Sequence, residues 1–275
     1  MIEGISNRNI FICLIGGILV LILYFVYSKY LQSDKQSAII PKVIYQTYKD
    51  KNVPPIVKER WMKLNPEYQY HLYDDNDCYN FLMKYYGKKH ADFFKYQIKD
   101  GPIKSDFWRV CVLYQFGGVY ADVDILPYVP IREFLNKDTT LYTCTSSPII
   151  SGHLNPHFIA VTPKNILMKR CIDKYMKEII NEPYDYWVYS ITGVLFEVAD
   201  KFFKRSKKEM GGRFYEGVYK TNNQVLQISQ EINQNDGHVS SDDPHGMNDY
   251  KIIQNGRIIM KNRDNTYNWE NHSFN

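Results

Sequence analysis

The chain has 275 residues, 44% of them hydrophobic and 23% charged, which is ordinary for a globular protein with one main core. Its net charge is +4, and its basic residues are scattered except for Lys204, Arg205, Lys207 and Lys208. Nucleic-acid binding normally needs a denser basic face, so the composition argues against that partner. Residues 1–9 form a short tail. From Ile10 to Tyr27 the run IFICLIGGILVLILYFVY carries no charge and as a helix would span roughly 27 Å, close to a bilayer's hydrocarbon thickness. It reads as a single-pass transmembrane anchor, because the bulky YFVYSKYLQS that follows is unlike the small residues of a signal-peptide cleavage site. Tyr24, Tyr27 and Tyr30 suit an interfacial belt, and no charge bias sets the orientation.

Residues 28–39 read as a linker and 40–275 as the folded domain. KVIYQTY (Lys42 to Tyr48) is β-branched and aromatic and predicts a first strand. VPPIVKERWMKLNP, with prolines at its head, predicts a short helix. YQYHLYDD predicts a second strand, and NDCYNFLMKYYG a helix ended by Gly87. Alternating strands and helices imply an α/β domain with a largely parallel sheet.

Next comes GPIKSDFWRVCVLYQFGGVYADVDILP. Ser105 is placed to cap a helix running to Phe116, and Gly117 to close it in the left-handed conformation. VYADVD predicts a strand whose alternation puts Val119, Ala121 and Val123 on one face and Tyr120, Asp122 and Asp124 on the other. Asp106 and Arg109, three apart, share a helix face. Farther on, PHFIAVTP predicts a strand, NILMKRCIDKYMKEII and ITGVLFEVADKFFK helices, KRSKKEMGGR a mobile loop, and YKIIQNGRIIMK a hairpin turning at Asn255-Gly256. Cys78, Cys111, Cys144 and Cys171 are far apart with no C-x-x-C pair, so no zinc site is expected.

Two carboxylates at i and i+2 can share a hard cation, and an all-oxygen site selects Mg²⁺ or Mn²⁺, which keep open positions for phosphate oxygens. At a strand end in an α/β sheet the pair reads as a clamp on a metal-bound diphosphate. Asp75-Asn76-Asp77 has the same pattern at a helix start, where capping explains it.

The string Ser105-Asp106-x-x-Arg109-x-x-x-Leu113-Tyr114-x-x-Gly117-Gly118-x-Tyr120-x-Asp122-x-Asp124 closely resembles the DXD sugar-binding region of a glycosyltransferase superfamily. That superfamily includes fungal initiating α-1,6-mannosyltransferases, inositol-phosphoceramide mannosyltransferases, α-1,4-galactosyltransferases and clostridial glucosylating toxins. IPKVIYQTYK is similar to its opening strand, with Tyr45 and Tyr48 where His and Trp are usual. Thr192-Gly193 resembles its Thr-Gly-Pro, and Asn268-Trp269 is the nearest match to its carboxy-terminal Ser-Trp.

The resemblance implies a GT-A-type, Rossmann-like nucleotide-sugar domain and a retaining, front-side transfer without a side-chain nucleophile. It assigns metal coordination to Asp124 and, directly or through water, to Asp122. Donor contacts fall to Asp106, Arg109, Tyr120, Asn155, Thr192, Trp269 and also Asp122, through the ribose or sugar, and Tyr48 would stack on the base. GDP-mannose is the first expected donor and a UDP-hexose the second. The acceptor is a glycan or lipid headgroup, in a lumen-facing compartment of the secretory pathway. Two other readings stay open: a catalytically silent sugar-binding membrane module, and a phosphatase using the D-x-D with Asp242-Asp243.

Overall fold

The computed structural model describes residues 17–18, 21–22, 24–25, 39–145, 153–177, 186–203, 213–221, 223–233 and 250–262. The chain divides into two units, Met1–Ala38 and Ile39–Asn275. In the first, the six described residues are helical. The rest of the expected anchor lies outside the described residues, as does most of the expected mobile loop. Among the described residues no helix is long and apolar enough to cross a membrane.

The second unit follows the sequence order closely at first. Strand β1 (Val43–Thr47) leads to helix α1 (Pro55–Leu64), strand β2 (Gln69–Tyr73) and helix α2 (Asp75–Tyr86). Asp74 caps α2 by accepting from Asp77 N–H, while the Asp77 carboxylate accepts from Asp74 N–H. This is the local explanation expected for the second D-x-D. A short α3 (Lys88–Asp92) and a π-helical turn (Phe93–Gln97) precede α4 (Gly101–Phe116). Helix α4 starts four residues before Ser105: Asp100 is its cap, accepting from Ile103 N–H, and Pro102 lies in the first turn. Ser105 is therefore inside the helix.

Gly117 (φ 66°) and Gly118 (φ 104°) then turn the chain into β3 (Gly118–Ala121). A Cβ at Gly117 would lie 2.6 Å from Pro163 N and 2.8 Å from the Val161 carbonyl, and one at Gly118 would lie 2.9 Å from the Val43 carbonyl. Backbone cannot give way as a side-chain tip can. We expect Gly117→Ala to lower stability by about 2 kcal/mol or more, read by chemical denaturation, since left-handed strain and a backbone clash add. An unchanged midpoint would show that the hinge relaxes freely.

After β3 the structure departs from the reading. The strand ends at Ala121, Asp122 to Ile125 form a turn, and β4 is Ile125–Pro127. Strand alternation thus does not place Asp122 and Asp124. The remaining elements are α5 (Ile131–Phe134), β5 (Leu141–Thr145), β6 (Leu154–Val161), α6 (Ile166–Lys177), α7 (Tyr186–Tyr189), α8 (Ile191–Phe203), β7 (Gly217–Lys220), β8 (Val225–Asn233), β9 (Tyr250–Gln254) and β10 (Arg257–Asn262). The β9–β10 turn is Asn255-Gly256, both at positive φ, as the sequence predicted.

The ten described strands form one mixed sheet in the order β2-β1-β3-β6-β5-β8-β9-β10-β4, with β7 on β8. Only β2-β1-β3 and β5-β8 pair in parallel; the other described pairs are antiparallel, so the expected largely parallel sheet is corrected to a mixed one. Strands β3 and β4 stand far apart in this order, yet four residue steps join them, roughly 14 Å at most. The sheet therefore curls until its far edge returns beside the end of β3, and the acidic turn bridges the two parts. One core lies under α2, α4, α6 and α8; a second, around Trp61, Phe134, Phe158 and Met260, fills the other face.

Candidate functional site

The site gathers at the carboxyl ends of β1 and β3 and the first half of α4. Its centre is Arg109, only 4% exposed. Its Nη2 donates to Asp106 Oδ1 at 2.9 Å and to Asp122 Oδ1 at 3.0 Å, while Nη1 donates to the Pro156 carbonyl at 2.8 Å. The guanidinium also lies 4.3 Å from the Tyr120 ring centroid. The Tyr120 hydroxyl donates to Asp122 Oδ1 at 3.0 Å and sits within 2.8 Å of Thr47 Oγ1 and 2.6 Å of Ser105 Oγ. Asp106 Oδ2 accepts from Ile191 N–H at 2.9 Å, so its negative charge faces the first turn of α8.

Burial opposes the Arg109 charge, but Asp122, Tyr120 and Asp106 outweigh it and hold the guanidinium above its ordinary range. Burial pushes Asp106 up to about 6 against the pull of Arg109 and the Ile191 amide. Burial likewise raises Asp122, opposed by Arg109.

These contacts change the picture of the expected donor groups. Asp106, Arg109 and Tyr120 are buried and engaged with protein, so they organise the site from behind and are not presented as open sugar contacts. The Asp122 side chain is 30% exposed. Asp124 is half-buried and Tyr48, just past β1, is half-buried too. Thr192 follows the residue that binds Asp106, so tertiary structure brings it to the cluster. Asn155, on β6, instead donates to Glu231 Oε2 at 2.8 Å. Trp269 lies outside the described residues.

Among the described residues no three His, Cys, Asp or Glu side chains form a group able to hold a metal. Mg²⁺ and Mn²⁺ sites commonly use one or two carboxylates and take the other ligands from phosphates and water. Asp122 and Asp124 fit that kind of site. Two carboxylates on one guanidinium, with Asp124 two residues further along the turn, also leave a surplus of negative charge for a cation to neutralise.

A second buried polar group was not foreseen from sequence. Glu231 on β8 is 4% exposed, and its Oε2 lies 3.4 Å from Nδ1 of buried His157. Burial raises Glu231 to about 7 and lowers His157 to about 3, so both are neutral near pH 6. The His157 carbonyl accepts from Asp122 N–H at 2.8 Å, joining this pair to the acidic turn. Nothing in the run VLQISQEIN marks Glu231, because its partners Asn155 and His157 come from β6, where the register against β5 shifts.

The pair gives a pH prediction. Between its unfolded value and about 7, native Glu231 keeps a proton that the unfolded chain has lost, so its stabilisation is present at low pH and falls as pH rises. His157 has the opposite sign, because between about 3 and 6.5 the unfolded chain binds the extra proton. Glu231→Gln should therefore gain stability relative to the parent as pH rises from 4.5 to 7, by at most about 3 kcal/mol. Parallel curves from denaturant unfolding across that window would exclude a buried neutral Glu231.

Residues 56–141 match the family model described as "Glycosyltransferase sugar-binding region containing DXD motif". The chain is 33% identical over 109 residues to inositol phosphoceramide mannosyltransferase 3 of Schizosaccharomyces pombe, covering 36% of this chain and 28% of that one. It is 29% identical over 126 residues to the initiation-specific alpha-1,6-mannosyltransferase of Candida albicans, covering 42% and 33%. In both alignments the chain spans about a third or less of the relative's own length. Among solved structures it is similar to the PaToxG glycosyltransferase, with TM-score 0.45 and 16% identity over 64% of this chain and 76% of that one.

Proposed function

We propose that the chain is a metal-dependent glycosyltransferase of GT-A type, anchored by its apolar amino-terminal run, which moves a hexose with retention from a nucleotide-diphosphate sugar to a glycan or glycolipid. The observation that carries this reading is the Asp106–Arg109–Asp122 cluster, with Tyr120, held against the acidic turn within the segment that matches the DXD region. Mannosyltransferase relatives favour mannose, with GDP-mannose before a UDP-hexose as donor.

In the transfer, the bond between the donor's anomeric carbon and its phosphate oxygen breaks, and the electron pair leaves with the diphosphate. The acceptor hydroxyl forms the new bond, and its proton goes to the departing diphosphate. A divalent ion, when bound, offsets the charge that develops on that leaving group. Asp124 and the exposed side of Asp122 would hold it. Arg109 fixes the Asp122 carboxylate, and Tyr120 fixes the same oxygen, so that the turn is set before substrate arrives. Tyr48, half-buried just beyond β1, would carry the base.

The test is hydrolysis of GDP-mannose, UDP-glucose and UDP-galactose by the full chain with Mn²⁺, followed by EDTA. Release of hexose from GDP-mannose that stops on chelation and returns with Mn²⁺ is expected. Turnover unaffected by chelation removes the metal role, and no turnover of any donor favours the silent sugar-binding reading.

A further inference from the structure

Gln46 is completely buried on β1, and both ends of its amide are engaged. Its Oε1 accepts from the Tyr70 hydroxyl at 2.6 Å, and its Nε2 donates to the Asp122 carbonyl at 3.0 Å. That carbonyl also accepts from Ile125 N–H at 3.1 Å, so it closes the turn that carries Asp122 and Asp124. The register between β1 and β3 pairs Ile44 with Val119 and Tyr45 with Tyr120, and there it stops. Beyond it, the Gln46 side chain takes over as the tie between β1 and the segment leaving β3.

An amide can present either its oxygen or its nitrogen, and only the NH₂ end can serve a carbonyl. The Tyr70 hydroxyl supplies a donor for the opposite end, which makes that orientation the satisfied one. We infer that Gln46 and Tyr70 are positioning residues for the acidic turn, acting in series: Tyr70 orients the Gln46 amide, and the amide fixes the Asp122 carbonyl and with it the placement of the two carboxylates. The part of this inference that concerns ligand rests on the reading of the turn as the metal-diphosphate site; the part that concerns the turn does not.

The experiment uses the full chain and two readouts. Hydrogen–deuterium exchange at the Ile125 amide reports the turn without any ligand, and Mn²⁺ titration in the presence of GDP reports the site. Gln46→Leu should speed Ile125 exchange and weaken Mn²⁺ binding, each roughly tenfold, and Tyr70→Phe should do the same by roughly threefold to tenfold. Because the two act in series, the double variant should resemble Gln46→Leu alone. If Gln46→Leu does not fold, Tyr70→Phe, which removes a single oxygen, decides. Unchanged exchange overturns the inference, as do independent, additive effects. Faster exchange with unchanged Mn²⁺ binding overturns its functional half. If the parent chain binds no Mn²⁺ with either GDP or UDP, the metal-diphosphate reading fails, and exchange alone decides whether Gln46 and Tyr70 hold the turn.

Discussion

Replacing Arg109 by Leu should unfold the domain roughly 10 °C earlier and abolish donor turnover. The guanidinium is the shared partner of Asp106 and Asp122, and it also satisfies the Pro156 carbonyl. Removing it leaves carboxylates in a buried region without their cation, a change that typically costs about 3–5 kcal/mol. In a domain of this size each kcal/mol moves the midpoint by roughly 2–4 °C. Lys should not rescue, because one ammonium cannot span three acceptors held by a planar fork. The defect should also shrink with falling pH, because both carboxylates rise further without Arg109 and become neutral. Scanning calorimetry at pH 5 and pH 8 checks this. A variant that melts with the parent at both values would mean that the cluster contributes nothing to the fold.

The second large effect separates chemistry from stability. Asp124→Asn should leave the melting temperature within a few degrees of the parent while lowering Mn²⁺-dependent donor turnover by roughly 10²–10³-fold, the usual range for losing one preorganised electrostatic contact. Asp122→Asn should lose both, because its carboxylate is the one that Arg109 and Tyr120 hold. The pair of variants therefore tests a division of labour: one acidic residue anchors the turn, and the other serves the ligand. Parent-like turnover by Asp124→Asn with the same Mn²⁺ dependence would refute it.

Much of the local structure was readable because its causes are local. The capping role of the second D-x-D and the Asn255-Gly256 turn are properties of four or five consecutive residues and came out as predicted, although the cap residue itself is Asp74, one position before that triplet. The Gly117 closure did as well, although what makes it obligatory is a clash with Pro163, far along the chain. The start of α4 was misplaced because Ser105 is as good a cap by type as Asp100, and only packing decides between them. Ser105 is needed inside the helix, where its hydroxyl meets Tyr120 and Thr47.

The acidic turn shows where such reading ends. Period-two alternation predicted a strand through Asp124, and nothing in VYADVD contradicts it. The strand stops at Ala121 where partners distant in sequence meet a local turn: His157 accepts the Asp122 amide proton and Gln46 donates to the Asp122 carbonyl, which Ile125 N–H, three residues on, also closes.

From its residues alone the chain determined the capped start of α2 and the turns at Gly117 and Asn255-Gly256, and it placed Asp106, Arg109, Asp122 and Asp124 in one stretch, since each of these follows from side-chain chemistry over a few positions. Tertiary structure alone decided that the sheet is mixed and curled, that Arg109 faces inward between two carboxylates, and that Gln46, Tyr70, His157 and Glu231 stand behind the site. Those outcomes depend on pairing and burial between residues far apart in sequence, 76 positions for Gln46 and Asp122 and 137 for Ile125 and Asn262, and no local pattern encodes such contacts.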